Sequence, residues 1–145
     1  MTILSEETWS KHSNKWSGWT RVLLMPIVGV GVYYHSWLIL VVAVVWGIVN
    51  PLIFPKPKSV DNWMSMGVLG EKIYFKEGKK FKKDLPTLLN ILNIPVSIVF
   101  VYFGWTQNIE ALILSALLLM TIKFWFIDRM SRLARDTIRK ERENG

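Results

Sequence analysis

Four long apolar blocks dominate the chain and limit what it can fold into. They cover residues 22–34, 37–54, 85–105 and 109–127. A helix rises about 1.5 Å per residue and the hydrocarbon core of a bilayer is about 30 Å thick, so a crossing helix needs roughly 20 residues. The last three blocks qualify, and the first qualifies if residues 16–21 form its interfacial first turn. We predict an all-α polytopic membrane protein, a bundle of four transmembrane helices with spans at about 16–34, 37–54, 85–105 and 109–127.

The basic residues give this arrangement an orientation. Of the 18 Lys and Arg, three precede the first block, eight lie between the second and third, and seven lie in or after the last turn of the fourth. The connections at 35–36 and 106–108 contain none. The positive-inside rule then places both termini in the cytoplasm of a multi-pass plasma-membrane protein. If the first two blocks formed one helix, it would be about 50 Å long, and eight lysines would lie on the wrong side.

Composition excludes several other classes. Half of the residues are apolar (51%), and only 20% are charged, which excludes a disordered chain. The absence of Cys excludes a disulfide scaffold and a Cys nucleophile, and two His are too few for a His-based metal cage. The polar first twenty residues lack the pattern of a signal peptide. We expect no metal and no cofactor, and entry into the membrane by the first span.

The soluble parts are predicted to be a short N-terminal segment (1–15), a basic inner loop (55–84) and a C-terminal extension (128–145), around a transmembrane domain at 16–127. In the loop, Asp61 is expected to cap a short turn over 62–66, which Gly67 and Gly70 would break. The extension is expected to be helical because Asp128–Arg132 and Asp136–Lys140 have the i,i+4 spacing of stabilising ion pairs.

Two groups of basic residues favour contact with anionic lipid headgroups. Each juxtamembrane Lys or Arg contributes about 1 kcal/mol near an anionic bilayer surface. The cluster in the inner loop also contains interleaved aromatic residues. A nucleic-acid partner is not expected, because these charges lie at the bilayer and no nucleic-acid motif accompanies them. The predicted headgroup contacts are Lys79, Lys80, Lys82, Lys83, Arg129 and Arg132.

Polar residues inside the spans favour a structural role. Asn90, Asn93 and Ser97 share one face of the third span, where such side chains usually hydrogen-bond across a helix interface. A polar substrate path is the alternative. Pro26 precedes Tyr33 by seven residues and Pro95 precedes Tyr102 by seven, a hint of two equivalent hairpins that chance also explains.

Four residues could carry out chemistry at the cytoplasmic interface: His12, Arg21, Asp61 and Glu71. Two carboxylates with a His and an Arg suffice for acid–base or phosphate chemistry. No metal-ligand spacing, Gly-rich phosphate loop or nucleophile elbow accompanies them. The sequence thus favours a protein that is not an enzyme, with an enzyme as the alternative.

Three motifs resemble a domain-of-unknown-function family of small prokaryotic integral membrane proteins. They are W-S-x-W-T-R at 16–21, N-P-x-x-F-P at 50–55 and D-N-W…G-V-L-G-E at 61–71. The resemblance covers roughly residues 16–71 and carries no assigned activity. It implies that the inner loop and Arg21 belong to one feature. The residues expected to anchor the loop are Arg21, Asn50, Asp61, Asn62, Trp63 and Glu71.

Three functions remain open at this point. The favoured one is a non-enzymatic membrane subunit or lipid-interacting protein that works through its cytoplasmic face. The second is an interfacial enzyme acting on lipid or isoprenoid headgroups. The third is an oligomeric transporter or channel, since Gly29, Gly31 and Gly47 permit close helix contacts within or between chains.

Overall fold

The computed structural model describes Lys11 and residues 13–76 and 84–145, and these residues form five helices and no strand. The helices are α1 (Lys15–Tyr33), α2 (Trp37–Ile53), α3 (Trp63–Lys76), α4 (Leu85–Trp105) and α5 (Ile109–Asn144). The all-α fold is confirmed, and α1, α2 and α4 begin and end within one residue of the predicted segments. Two helices, α4 and α5, are long and apolar enough to cross a membrane.

Asn and Asp side chains cap the N-terminal ends of α1, α4 and α5. Asn14 accepts a hydrogen bond from the Trp16 N–H (2.9 Å) ahead of α1, and Asp84 accepts one from the Thr87 N–H (3.0 Å) ahead of α4. Asn108 accepts from a backbone N–H in the first turn of α5 in the same way. Each cap satisfies an N–H that has no partner within its helix.

The turns that join α1 to α2 and α4 to α5 have the same geometry. In each, three consecutive N–H groups after the helix bond back to carbonyls four, three and five residues earlier. His35 (φ 50°) and Gln107 (φ 56°) occupy the left-handed position that closes such a helix end. They are 72 residues apart, whereas Pro26 and Pro95 are 69 apart. The turns are therefore equivalent, but the two prolines are not.

The two turns also bind each other. His35 Nε2 donates to the carbonyl of Trp105, the last residue of α4, at 3.0 Å. Reciprocally, Gln107 Nε2 donates to the carbonyl of Tyr33, the last residue of α1, at 3.0 Å. Both hairpins therefore have their turns at the same end of the molecule.

The helix α3 differs from the prediction. Its 14 residues replace the expected short turn, and Asn62 rather than Asp61 caps it, since Asn62 Oδ1 accepts from the Ser65 N–H at 2.9 Å. The expectation that Gly67 and Gly70 break this segment is wrong. A Cβ on Gly67 would lie 2.5 Å from Ile127 Cγ2, and one on Gly70 would overlap the Met130 carbonyl. The two glycines let α3 lie directly against α5.

The fifth helix continues without a break into the C-terminal extension, as predicted. Met130 and Ala134 are fully buried, and Met130 lies in the contact of this helix with α3. The predicted Asp128–Arg132 ion pair is present at 2.9 Å. Among the described residues, the other pair on this extension joins Arg139 to Glu143 (3.8 Å), one turn away from the predicted Asp136–Lys140 pair.

Large apolar side chains are exposed over much of the surface. They lie on α1, α2, α4 and the first half of α5, between residues 23 and 53 and between 88 and 125, with Trp16 and Trp19 before them. Only 17% of the apolar stretch of α4 and 28% of that of α5 is buried. A core helix of a soluble protein would be mostly buried. We call this surface the apolar belt.

Tyr74 joins the C-terminal part of α3 to the start of α4. Its ring is 3% exposed and packs with Leu89, Phe126 and Met130. Its hydroxyl donates to Asp84 Oδ1 (2.8 Å) and lies 2.6 Å from Thr87 Oγ1. We expect Tyr74→Phe to lower the free energy of unfolding by about 1 kcal/mol, because it removes these bonds and keeps the ring. Thermal unfolding in detergent micelles measures this change.

The pH dependence of stability gives a second readout of Tyr74. Burial raises the pKa of its hydroxyl above the ordinary value of 10.0. Above pH 10 the unfolded chain releases this proton while the folded protein keeps it, so the free energy of unfolding falls as pH rises. Below pH 10 the Tyr74 hydroxyl is protonated in both states, and its full contribution to the free energy of unfolding is present. Tyr74→Phe should lack this alkaline decline. Equal declines in both proteins would contradict the assignment.

Candidate functional site

A cavity of about 250 Å³ lies where α1, α3, α4 and α5 meet. Four polar side chains line it, one from each helix: Arg21, Glu71, Asn93 and Lys123. The other lining residues are apolar side chains or glycines. We call this space the charged cavity.

On the α1 side, Arg21 provides a guanidinium. Its Nε donates to the Ser17 carbonyl one turn earlier, at 3.1 Å, which orients the side chain along the helix. Glu71 on α3 interacts electrostatically with Arg21. Both side chains belong to half-buried residues. This wall of the cavity therefore contains one cation and one anion that attract each other.

On the α5 side, Lys123 provides an ammonium group. It is the only Lys or Arg between residues 84 and 128. Its Nζ lies 5.4 Å from the centre of the Phe126 ring, close enough for a cation–π interaction. The residue is half-buried in a helix that is otherwise apolar at this level.

Three aromatic rings pack beside the charged cavity and join three of its helices. Trp19 of α1, Trp63 of α3 and Phe124 of α5 have ring centres 6.1 to 6.3 Å apart. Such separations are in the favourable range for aromatic pairs. Phe124 also lines the cavity. The trio fixes the start of α3 against α1 and α5.

The chemistry of the charged cavity is that of an anion site. Arg21 and Lys123 contribute two positive charges and Glu71 one negative charge, and Asn93 adds amide donors. Guanidinium and ammonium groups are the usual ligands of phosphate and carboxylate. The described part of the chain contains no cluster of three His, Cys, Asp or Glu that could bind a metal ion.

Of the four residues considered for catalysis, the structure brings two together and places a third elsewhere. Arg21 and Glu71 line the charged cavity. Asp61 lies outside it, in an exposed turn where its carboxylate accepts from Ser59 Oγ at 2.5 Å. His12 lies outside the described residues. The two carboxylates are therefore not in one cavity.

The remaining residues expected to anchor the loop have different positions. Asn62 and Trp63 begin α3, as described above. Asn50 is fully buried, and its amide hydrogen-bonds to the hydroxyls of Ser17 (2.6 Å) and Thr20 (2.7 Å). It thus joins α2 to α1 near the end opposite to the hairpin turns.

The residues expected to contact lipid headgroups are only partly described. Lys79, Lys80, Lys82 and Lys83 lie outside the described residues. Arg129 and Arg132 line a second cavity, of about 430 Å³, with Tyr74 and Asp136. The Nε of Arg132 lies 2.9 Å from its ion-pair partner Asp128. These two arginines are exposed and are not among the residues that line the charged cavity.

Two residues of the charged cavity were not expected from the sequence. For Lys123 the sequence predicts only a basic residue in the last turn of the fourth block, and its position within an apolar block is the signal that identifies it. Asn93, like Asn90 and Ser97, was expected to hydrogen-bond to a neighbouring helix. For Ser97 that is wrong, because its hydroxyl is exposed and donates to the Asn93 carbonyl of its own helix at 2.7 Å.

These features define an all-helical protein in which two helices are able to cross a membrane and a charged cavity lies among four helices. More specifically, the chain belongs to a family of unknown function, DUF6653, whose model matches residues 2–144. The expected membership of a domain-of-unknown-function family is confirmed, and the match extends well beyond residues 16–71. No curated protein matches the chain, and no solved structure matches it.

Proposed function

We propose that this protein spans the plasma membrane four times, with both termini in the cytoplasm, and binds the headgroup of a lipid in the charged cavity without transforming it. The apolar belt supports four spans because it includes α1 and α2 as well as α4 and α5. An apolar surface of this extent in contact with water would be unfavourable, whereas lipid chains would cover it.

The shorter helices fit this proposal. The 17 residues of α2 extend about 26 Å, and a bilayer adapts to a shortfall of a few Å at modest cost. In α1, Arg21 lies near the helix start, from which a long side chain can reach the headgroup level.

The hairpin turns support the orientation. Both lie at one end of the molecule, joined through His35 and Gln107, and the segments around them contain no Lys or Arg. All 18 basic residues lie before residue 22, between residues 55 and 84, or after residue 122, and therefore away from the two turns. The positive-inside rule assigns the basic end to the cytoplasm.

The position of the charged cavity is the observation that carries the lipid proposal. Arg21 directly precedes the exposed aliphatic residues of α1, which begin at Leu23, and Lys123 precedes Trp125, the last exposed large apolar residue of α5. On both helices the cations therefore lie where the aliphatic part of the apolar belt gives way to its exposed Trp residues. A lipid placed there has its headgroup at the cations and its chains along the belt.

The separate positions of the two carboxylates favour a binding role over an enzymatic one. Asp61 and Glu71 line different cavities, so neither cavity contains the acid–base pair that the enzymatic alternative needs. The lysines at 79–83, with Arg129 and Arg132, stay a proposed second contact with anionic lipid at the bilayer surface.

Native mass spectrometry of the protein in nanodiscs tests lipid binding. We expect one retained phospholipid per chain in the wild type and at least about tenfold weaker retention in Lys123→Gln, because a charged hydrogen bond contributes about 1.5–3 kcal/mol. Arg142→Gln is the matched control, since this cation lies in the last turn of α5 and outside the charged cavity, and it should retain lipid as the wild type does. Equal retention by wild type and Lys123→Gln would contradict the proposal.

A further inference from the structure

We infer that the charged cavity selects a lipid whose headgroup carries a single negative charge and no amine, such as a phosphodiester of the phosphatidylglycerol type. This inference rests on the proposed function and adds the class of ligand. It follows from the number of charges that line the cavity and from the apolar character of the rest of its walls.

The charges of the described residues that line the cavity do not balance by themselves. Glu71 offsets one of the two cations, and its electrostatic interaction with Arg21 identifies which one. Lys123 on the opposite wall has an aromatic ring as its neighbour rather than a carboxylate. Among the described residues that line the cavity, the charges therefore sum to plus one.

An uncompensated charge is costly in such a place. The lining away from the charged groups is apolar, with Val22, Met25 and Met120 facing the same space. Removing an ion from water into surroundings of this kind is expensive unless an opposite charge accompanies it. A ligand with one negative charge brings the occupied cavity to neutrality.

Other headgroups leave a residual charge. A zwitterionic headgroup, with a phosphate and an ammonium, leaves the cavity at plus one. A phosphomonoester with two negative charges brings it to minus one. A monoanionic phosphodiester brings the cavity to zero net charge, and its two unesterified oxygens can accept hydrogen bonds from the Lys123 ammonium and the Asn93 amide.

The apolar walls favour a lipid over a free headgroup. Met25, Met64 and Met120 contribute three flexible thioether side chains to the lining. Methionine adapts its shape to irregular apolar partners, so these side chains suit the glycerol backbone and first methylenes of a lipid. A water-soluble phosphodiester would leave this surface without a partner.

A series of charge variants tests the inference in nanodiscs of zwitterionic lipid. Each nanodisc contains a small fraction of phosphatidylglycerol, phosphatidate or phosphatidylethanolamine with identical chains, and native mass spectrometry measures which lipid is retained. We expect the wild type to prefer phosphatidylglycerol at least tenfold over the other two. Glu71→Gln makes the cavity charge plus two and should shift the preference to phosphatidate. Lys123→Gln makes it zero and should abolish the preference for an anionic lipid.

Controls separate folding from selectivity. Lys123→Arg keeps the charge and should keep the preference for phosphatidylglycerol. Thermal unfolding shows whether each variant folds. If Glu71→Gln does not fold, the comparison of Lys123→Gln with Lys123→Arg tests the charge rule without it. Glycerophosphoglycerol and a fatty acid are added as soluble and carboxylate competitors, and neither should displace the lipid at equal concentration.

Each contrary result overturns a defined part of the account. Equal retention of the three lipids by the wild type, or an unchanged preference in Glu71→Gln and Lys123→Gln, overturns the charge rule and leaves lipid binding intact. Displacement by glycerophosphoglycerol identifies a soluble phosphodiester as the ligand, and displacement by the fatty acid identifies a carboxylate, so either overturns the phospholipid. Failure to retain any lipid overturns the inference and the proposed function together.

Discussion

Replacing Gly70 with alanine is expected to lower the free energy of unfolding by at least about 2 kcal/mol, because overpacking that forces a backbone shift is costly. The added methyl group would overlap the backbone carbonyl of Met130, which cannot move aside as a flexible side chain can. Separation of α3 from α5 would also disturb the charged cavity, since Glu71 is the next residue. Thermal unfolding in detergent micelles measures the loss.

Gly47→Ala is the matched control for this prediction. A Cβ at Gly47 would meet only Leu24 Cδ1, at an ordinary contact distance of 3.8 Å. Alanine favours helix over glycine by up to about 1 kcal/mol, so this variant should be as stable as the wild type or more stable. If Gly70→Ala were equally stable, α3 would not pack on α5 as described.

Replacing Asn50 with alanine is expected to destabilise the protein by about 1–3 kcal/mol, since buried hydrogen-bonding groups then lose their partner. Ser17 and Asn50 are both fully buried and bond only 2.6 Å apart. Thr20 keeps its bond to the Trp16 carbonyl (2.8 Å), so the Ser17 hydroxyl accounts for most of the loss. The midpoint temperature of thermal unfolding in detergent micelles measures this loss of stability.

Asn90→Ala is the matched control, because it makes the same chemical change at a position where we expect little effect on stability. Asn90 is half-buried in α4, and no hydrogen bond of its side chain joins it to the described residues. We expect its stability to stay within about 0.5 kcal/mol of the wild type, as for changes away from buried networks. Equal losses for the two variants would mean that the contact of Asn50 with α1 is unimportant.

The positions of the long helices were predictable because their signals are local. Continuous apolar runs, capping Asn and Asp residues and turns without charge lie within a few residues of the boundaries they set. The existence of α3 was not predictable in this way. Glycine is a poor helix former in isolation, and Gly67 and Gly70 are favourable here only because α5 lies against them. That contact joins residues about 60 positions apart, which no local pattern contains.

The site was predictable only in part for the same reason. The motifs associated Arg21 with the inner loop, and the structure places Arg21 and Glu71 in the walls of one cavity. Lys123 and Asn93 join them through the packing of α4 and α5, which the sequence alone does not specify. The equivalence of the hairpins was likewise hidden, because it depends on the backbone of two turns rather than on matching residues.

Membrane topology, measured by cysteine labelling, tests the central claim most directly. The chain contains no Cys, so single cysteines at exposed positions can be labelled with a membrane-impermeant maleimide in right-side-out and inverted vesicles. The four-span account predicts that Tyr34→Cys and Glu110→Cys react from outside only, and that Lys58→Cys and Glu143→Cys react from the cytoplasmic side only. Labelling of Tyr34→Cys and Lys58→Cys from the same side would mean that α2 does not cross the membrane, and would contradict the account.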